Sequence, residues 1–386
     1  MRKIKEAEQT NEIMLMKDIT LLDDDDVFDS DKNLMNLPTE VLYKILSYLP
    51  YQELGNMMLV STLCKEITED PLVWKKFQLL VDEDKVNNLV DIFDINRFAR
   101  LESIKTGGGS CLSSSSLSSL FTVIKNKETI KILDLTNTDL GNVDPDLLSE
   151  TINAMTEVNL DMNMFTFLQT DKIFSRMREK RRLKNLSVKY NTLAMVDPVL
   201  LGDCLASLTV LDLTNTYLTS TQVEAMFLAM TKITNLTKLT MVEIIVADIP
   251  QQLFANCVHK LKYLKMTNQN TYCLTQLQLL ALLRDPSQSH IQQLCLEYVD
   301  LSFIPCQVVA HGINTRQKVI IRKSAMTVDQ VKAVLEMIET ETTLKELILD
   351  IPNQNKTDGK QISLIIKDIL HKIPNIKIIY TFDQED

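Results

Sequence analysis

Residues 208–218 read LTVLDLTNTYL. Apolar side chains occupy the first, fourth, sixth and eleventh places, and a threonine occupies the ninth. The short alternation Leu211-Asp212-Leu213 is that of a strand, whose side chains point to opposite faces in turn. The same spacing recurs along the chain. Earlier copies are Ile130–Leu133–Leu135–Thr138–Leu140, Met155–Val158–Leu160–Asn163–Phe165 and Leu183–Leu186–Val188–Asn191–Leu193. Later copies are Leu236–Leu239–Met241, Leu261–Leu264–Met266, Ile291–Leu294–Leu296–Val299–Leu301, Val319–Ile321–Met326 and Leu344–Leu347–Leu349.

The second apolar residues of these units stand at 133, 158, 186, 211, 239, 264, 294, 319 and 347, with steps of 25, 28, 25, 28, 25, 30, 25 and 28. Two unit types therefore alternate, and the underlying period is about 53 residues. Val143-Asp144-Pro145 reappears 53 residues on as Val196-Asp197-Pro198, and Cys204 reappears as Cys257. Such spacing is the leucine-rich-repeat pattern, in which each unit supplies one strand and one helix. The expected fold class is α/β: a solenoid of about ten strand–helix units with a concave parallel sheet and helices on the convex side. The Asn/Thr place in each unit is positioned to satisfy turn backbone groups.

The repeat offset also decides Gly107–Gly109 and Ser113–Ser116, which look like a linker between domains. Leu112, Leu117, Leu120, Phe121 and Ile124 lie 106 residues before Leu218, Val223, Met226, Phe227 and Met230. The serines are therefore expected on the solvent side of a repeat helix, with the glycines in a loop of an irregular first unit near Leu101–Ile104. Towards the end, Pro352–Lys360 reads as a polar insertion, Ile362–Ile373 as a helix, Ile376–Tyr380 as a last strand, and Asp383–Asp386 as a frayed end.

Composition narrows the function. With 41 basic and 51 acidic residues the net charge is −10, which argues against nucleic acid as the main partner. The seven cysteines form no C-x-x-C pair, and the polar opening MRKIKEAEQTNE is no secretory leader, so reduced thiols in the cytoplasm or nucleus are expected. No stretch approaches the ~18 apolar residues of a membrane helix. Residues 1–33 end in Asp23–Asp26, Asp29 and Asp31, and read as a solvated, disordered acidic arm, either a spacer or a docking arm.

Between the arm and the array, residues 34–80 form a compact helical module. Leu37, Val41, Leu42, Ile45, Leu46 and Leu49 recur at helical spacing, Pro38 suits a first turn, and Pro50 ends the helix. Further helices are expected from about Gln52 to Val60 and from Thr62 to about Glu69. About 45 residues cannot bury so much apolar surface alone, so part of it belongs to a neighbour or a partner. Residues 81–100 read as a helical connector, and 101–386 as the array.

Leu37-Pro38, Glu40, Leu42, Ile45-Leu46, Tyr48-Leu49, Val60-Ser61, Cys64-Lys65 and Trp74 together resemble the F-box. Leu63 departs from it, standing where the family often has an aromatic or basic residue nearby. With the repeats, the chain is similar to the F-box leucine-rich-repeat family over about 350 residues. The resemblance implies that the module inserts into the Skp-family adaptor of a cullin–RING ubiquitin ligase. Leu37, Pro38, Leu42, Ile45, Leu46, Leu49 and Val60 would be the adaptor-facing set. Trp74 is expected to pack under the third helix.

No nucleophile elbow, metalloprotease helix, P-loop or dinucleotide fingerprint is present, so no catalytic residue, metal or cofactor is expected. Cys257 with His259, and Cys306 with His311, are explained by buried cysteines on repeat helices rather than by metal binding. The basic run Arg176–Lys184 reads as a solvated helix face and loop. Residues flanking the strand leucines should face the open side, and Asp134, Asp161, Lys189, Asp212, Thr214, Lys265, Glu297 and Arg322 are the candidate target-binding set. They carry no single-sign field, and an open array suits a protein target better than a small molecule. The expected role is a non-catalytic, substrate-recruiting subunit of a ubiquitin ligase. The alternative is a leucine-rich-repeat scaffold or inhibitor without ligase association, in which residues 34–80 merely cap the array. Its unit alternation is similar to ribonuclease-inhibitor-type repeats.

Overall fold

A computed structural model describes residues 37–49, 51–106, 112–232, 235–268, 273–284, 289–340, 342–351 and 356–381. The acidic arm, the three glycines and the last five residues lie outside these. The chain divides into two units, Met1–Trp74 and Lys75–Asp386. No helix among the described residues is long and apolar enough to cross a membrane.

The first unit contains α1 (Thr39–Leu46), α2 (Tyr51–Met57), α3 (Thr62–Glu69) and α4 (Pro71–Trp74). The Pro38 carbonyl accepts from the N–H groups of Val41 and Leu42 at 2.9 and 3.1 Å, so the proline starts α1 without wasting a donor. Ser61 caps α3, its Oγ accepting from the Cys64 N–H at 3.0 Å. Leu42, Leu46, Leu54, Cys64, Ile67, Val73 and Trp74 form a small buried core. The Trp74 indole N–H donates to the Thr68 carbonyl, which fixes the ring under α3. The Tyr43 hydroxyl donates to Asp70 at 3.0 Å, and that bond raises the Tyr43 pKa.

In the second unit, twelve strands among the described residues form one parallel sheet in strict sequence order. They are β1 (Gln78–Val81), β2 (Ser103–Thr106), β3 (Ile132–Asp134), β4 (Glu157–Asn159), β5 (Asn185–Ser187), β6 (Val210–Asp212), β7 (Lys238–Met241), β8 (Tyr263–Thr267), β9 (Gln293–Glu297), β10 (Lys318–Arg322), β11 (Glu346–Asp350) and β12 (Lys377–Thr381). One ladder of apolar residues runs through all of them in register, from Leu79 and Ile104 through Leu211 and Leu264 to Leu347 and Ile378. The array is thus longer than about ten units and begins earlier than residue 101. β1 pairs with β2, and residues 81–100 run between them as helices Glu83–Asn87 and Leu89–Asp94 and the turn Asn96–Phe98.

Two polar devices hold successive units together. Thr138, Asn163, Asn191 and Thr216 are buried at the expected Asn/Thr place. The Asn163 Oδ1 accepts from the Thr138 N–H at 2.8 Å, and the Asn191 Oδ1 accepts from the Asn163 N–H at 2.9 Å. The second device occurs in every other unit, as Thr166–Gln169, Thr219–Gln222, Thr275–Gln278 and Thr327–Gln330. Each glutamine Oε1 accepts from its own threonine N–H, while its Nε2 donates to two carbonyls of the preceding unit. The intervening units begin their helices with Asp144-Pro145 and Asp197-Pro198, where the aspartate caps and proline takes the first turn.

The serine tract is a helix. Ser113 caps Ser114–Ile124, and Glu83 accepts from the Ser113 and Ser116 hydroxyls, while Leu117, Leu120, Phe121 and Ile124 are fully buried. In the polar insertion, residues 352–355 lie outside the description, and a helix already spans Lys356–Lys372.

Candidate functional site

Two surfaces hold the residues singled out from sequence. On the first unit, α1 is apolar on two sides. Leu42 and Leu46 point inward and are 4% and 3% exposed. They are core residues and offer nothing to a partner, which corrects their place in the adaptor-facing set. Leu37, Pro38, Ile45 and Val60 are exposed, and Leu49 is half-buried. Val41 and Tyr48 join them, so Leu37, Val41, Ile45 and Tyr48 form one outer stripe at steps of four, four and three residues. Leu59 and Leu63 are exposed as well, Leu59 being 86% exposed. Sequence reasoning missed Tyr48, Leu59 and Leu63 as surface residues. Contiguous exposed apolar area of this kind is the character of interaction surfaces.

The helical order, the proline-led start, the Ser61 cap and the tryptophan under α3 are now in place. Residues 34–79 match the F-box-like family model. The chain therefore joins an F-box-like module to a leucine-rich-repeat array, the architecture of a protein-interaction adaptor. No curated protein matches it. Among solved structures, the leucine-rich repeat-containing protein LegL7 from Legionella pneumophila is similar at 16% identity and a TM-score of 0.42, over 80% of this chain and 97% of that one. The human trophoblast glycoprotein is similar at 16% identity and a TM-score of 0.36, over 56% of this chain and 78% of that one.

On the array, the target-binding candidates are strand-flanking residues as expected, but they are not free. Asp134, Asp161 and Thr214 are buried. Lys105 pairs with Asp134 at 2.9 Å, Lys189 lies between Asp161 at 3.4 Å and Asp212 at 3.5 Å, and Glu297 takes Lys265 at 3.2 Å and Arg322 at 3.9 Å. The reason is the register: residues 23–32 apart in sequence meet across neighbouring strands. Several carboxylates also fold the chain locally. The Asp212 Oδ1 accepts from the Thr214 N–H and hydroxyl, and the Asp134 Oδ1 does the same for Thr136. Burial works against the Asp134 carboxylate, but hydrogen bonds from Thr136 and Lys105 outweigh it and hold the pKa below its usual value. For Lys189, attraction to Asp212 and Asp161 outweighs burial and raises the pKa.

Of the two cysteine–histidine pairs, Cys257 is buried on its repeat helix as expected, whereas Cys306 is only half-buried. The Cys204 thiol donates to the Phe174 carbonyl at 2.8 Å, and the Cys257 thiol to the Phe227 carbonyl at 3.1 Å, the same contact one period apart. Burial pushes these thiols up to about 12 and about 11. Among the described residues no group of three or more His, Cys, Asp or Glu is arranged to hold a metal ion. In the basic run, Arg176 pairs with Glu150 and Asp146, and Arg178 with Asp203, on the helix Phe167–Lys180.

Proposed function

We propose that this chain is a substrate-recruiting subunit of a cullin–RING ubiquitin ligase. Its F-box-like module binds a Skp-family adaptor, its repeat array binds a protein target, and other subunits carry out ubiquitin transfer. The observation that carries the reading is the second apolar face of α1, which remains open after Leu42 and Leu46 have formed the core. An amphipathic helix with anchors at such spacing suits a hydrophobic groove. Free thiols at the six described cysteines support a reducing compartment, cytoplasm or nucleus.

The test is co-purification of the full chain with a Skp-family adaptor. Ile45→Asp and Val60→Asp should each weaken capture at least tenfold, because a charge would be buried at the interface centre. Leu46→Ala should lower stability instead, as a core truncation. A wild-type chain that leaves the adaptor in the flow-through would sink the ligase reading and favour a scaffold without ligase association.

A further inference from the structure

Two clefts open between neighbouring helices of the array, one repeat period apart. The first, about 410 Å³, lies between helices Pro198–Cys204 and Ser220–Lys232, with Val199, Asp203, Ala225 and Leu228 in its lining. The second, about 760 Å³, lies between helices Gln251–Val258 and Gln276–Arg284, where the equivalent residues are Gln252, Asn256, Ala281 and Arg284. Gln252 and Asn256 stand 53 residues after Val199 and Asp203, and Ala281 and Arg284 follow Gln278 as Ala225 and Leu228 follow Gln222. One period before the first cleft, the same two helix places hold Asp146 and Glu150. There the carboxylates neutralise Lys172 and Arg176 on the facing helix, at 3.1–3.5 Å. In the first cleft Asp203 remains, paired with Arg178 at 3.9 Å. In the second, both places have become amides.

Basic groups gather where the carboxylates have gone. His259, Lys260, Arg284 and His290 all line the second cleft. The Lys260 ammonium donates to the Thr231 carbonyl at 2.7 Å, which fixes it on the wall of the cleft. The His290 backbone N–H donates to the His259 carbonyl at 2.7 Å, which brings the two histidines together. Arg316, buried and bonded to the Leu282 carbonyl at 2.9 Å, adds a further charge to the helix that Arg284 ends. Neither Lys260 nor Arg284 has an ion-pair partner among the described residues. Between Asp248 and Glu297 the chain carries a single carboxylate, Asp285, which lies outside the described residues. The basic side chains of the cleft outnumber it, in a chain whose net charge is −10.

Cations that have lost their internal counter-charges, in a concave and polar place, suit an anion from outside. A guanidinium offers a planar fork of donors and an ammonium a point charge, and both match phosphoryl oxygens. The volume falls within the range of small-molecule sites and exceeds what one phosphate fills. Positive groups supplied from two helices and the loops after them call for more than one negative group. We propose that the cleft between helices Gln251–Val258 and Gln276–Arg284 binds a small anion bearing more than one phosphoryl group, held by Lys260 and Arg284 with His259 and His290 beside them. This site is independent of whether the chain joins a ligase.

Titration calorimetry of the full-length chain with sodium tripolyphosphate, at fixed ionic strength, tests the proposal. Tripolyphosphate should bind at one site per chain and more tightly than inorganic phosphate. Lys260→Gln with Arg284→Gln should weaken binding about tenfold or more. Gln252→Asp with Asn256→Glu keeps every basic side chain and returns the carboxylates found two periods earlier, at exposed positions. It should weaken binding as strongly, because the cleft then neutralises itself. Lys180→Gln with Arg182→Gln, on the exposed basic run, should leave binding unchanged. No binding by the wild-type chain, or undiminished binding by either cleft variant, would overturn the inference. An equal loss in the Lys180 and Arg182 variant would reduce it to general attraction and overturn it too. So would tighter binding of a serine-phosphorylated peptide than of tripolyphosphate, which would make the occupant a protein.

Discussion

The Lys189 ammonium lies 3.4 Å from the Asp161 carboxylate, yet the ion pair is the lesser of that carboxylate's bonds. The Asp161 Oδ1 also accepts from the Ser187 hydroxyl at 2.6 Å and from the Lys189 backbone N–H at 2.9 Å, in a buried position. Removing it leaves a part-buried backbone donor without its acceptor, which costs about 1 kcal/mol or more. Removing the Lys189 side chain breaks only partly solvated ion pairs, worth about 0–1 kcal/mol each. Asp161→Ala should therefore lower the denaturant midpoint distinctly more than Lys189→Ala. Equal losses would show that the pair, not the backbone bond, is the stabilising contact.

Acid should act on the same face. The folded pKa of Asp134 is depressed by Thr136 and Lys105, against its burial, and that of Glu346 by Lys318, with burial opposing and Lys377 assisting. A depressed carboxyl contributes stability that is present above its unfolded pKa and is lost as pH falls through the folded value. Stability should be flat near neutrality and decline below about pH 4. Asp134→Asn should have the lower stability at pH 7 and a shallower decline in acid. Parallel curves for the variant and the wild-type chain would exclude Asp134 as a contributor.

The ladder was legible because each unit repeats its leucines at fixed places, so even Leu117–Ile124 among serines could be placed. β1 was not: Gln78–Val81 has the alternation of a strand but none of the leucine spacing around it. The cross-strand ion pairs were hidden for another reason, since their partners come from different units and meet only through register. On α1 the apolar run was read as one face, but one residue turns a helix by about 100°, which separates Leu42 and Leu46 inside from Val41 and Ile45 outside. The Thr-x-x-Gln motif recurs at Thr166, Thr219, Thr275 and Thr327, once in every other unit. Its link to the preceding unit depends on carbonyls 26–32 residues away.

That link can be tested at Gln222, whose Nε2 donates to Leu193 at 2.8 Å and to Val196 at 2.6 Å. Gln222→Leu keeps the volume but leaves the buried Val196 carbonyl without this donor, at about 1–3 kcal/mol, while the Leu193 carbonyl keeps the Val196 N–H at 2.9 Å. Amide exchange should accelerate around β5 and β6 while the F-box-like module is unaffected. Unchanged exchange there would mean that the glutamine merely caps its own helix.

Arg316 stands three residues before Val319, where the equivalent residues in two earlier units are Leu208 before Leu211 and Leu261 before Leu264. It occupies a core leucine place and is 1% exposed. Its Nη2 donates to the Leu282 carbonyl at 2.9 Å, while Nε and Nη1 have no hydrogen-bond partner. Burial brings its pKa down to about 10, so the guanidinium stays charged at neutral pH, with no ion-pair partner among the described residues. Desolvating an ion costs several kcal/mol, and one neutral acceptor returns only part of it. Arg316→Leu should restore the unit's core and raise stability by about 1–4 kcal/mol, the range seen when buried ionic groups give way to apolar ones. The reciprocal change, Leu261→Arg, places a charge where no compensating contact exists and should destabilise strongly. Denaturant midpoints of both variants decide the matter. A fall for Arg316→Leu would mean that the bond to the end of helix Gln276–Arg284 outweighs the buried charge.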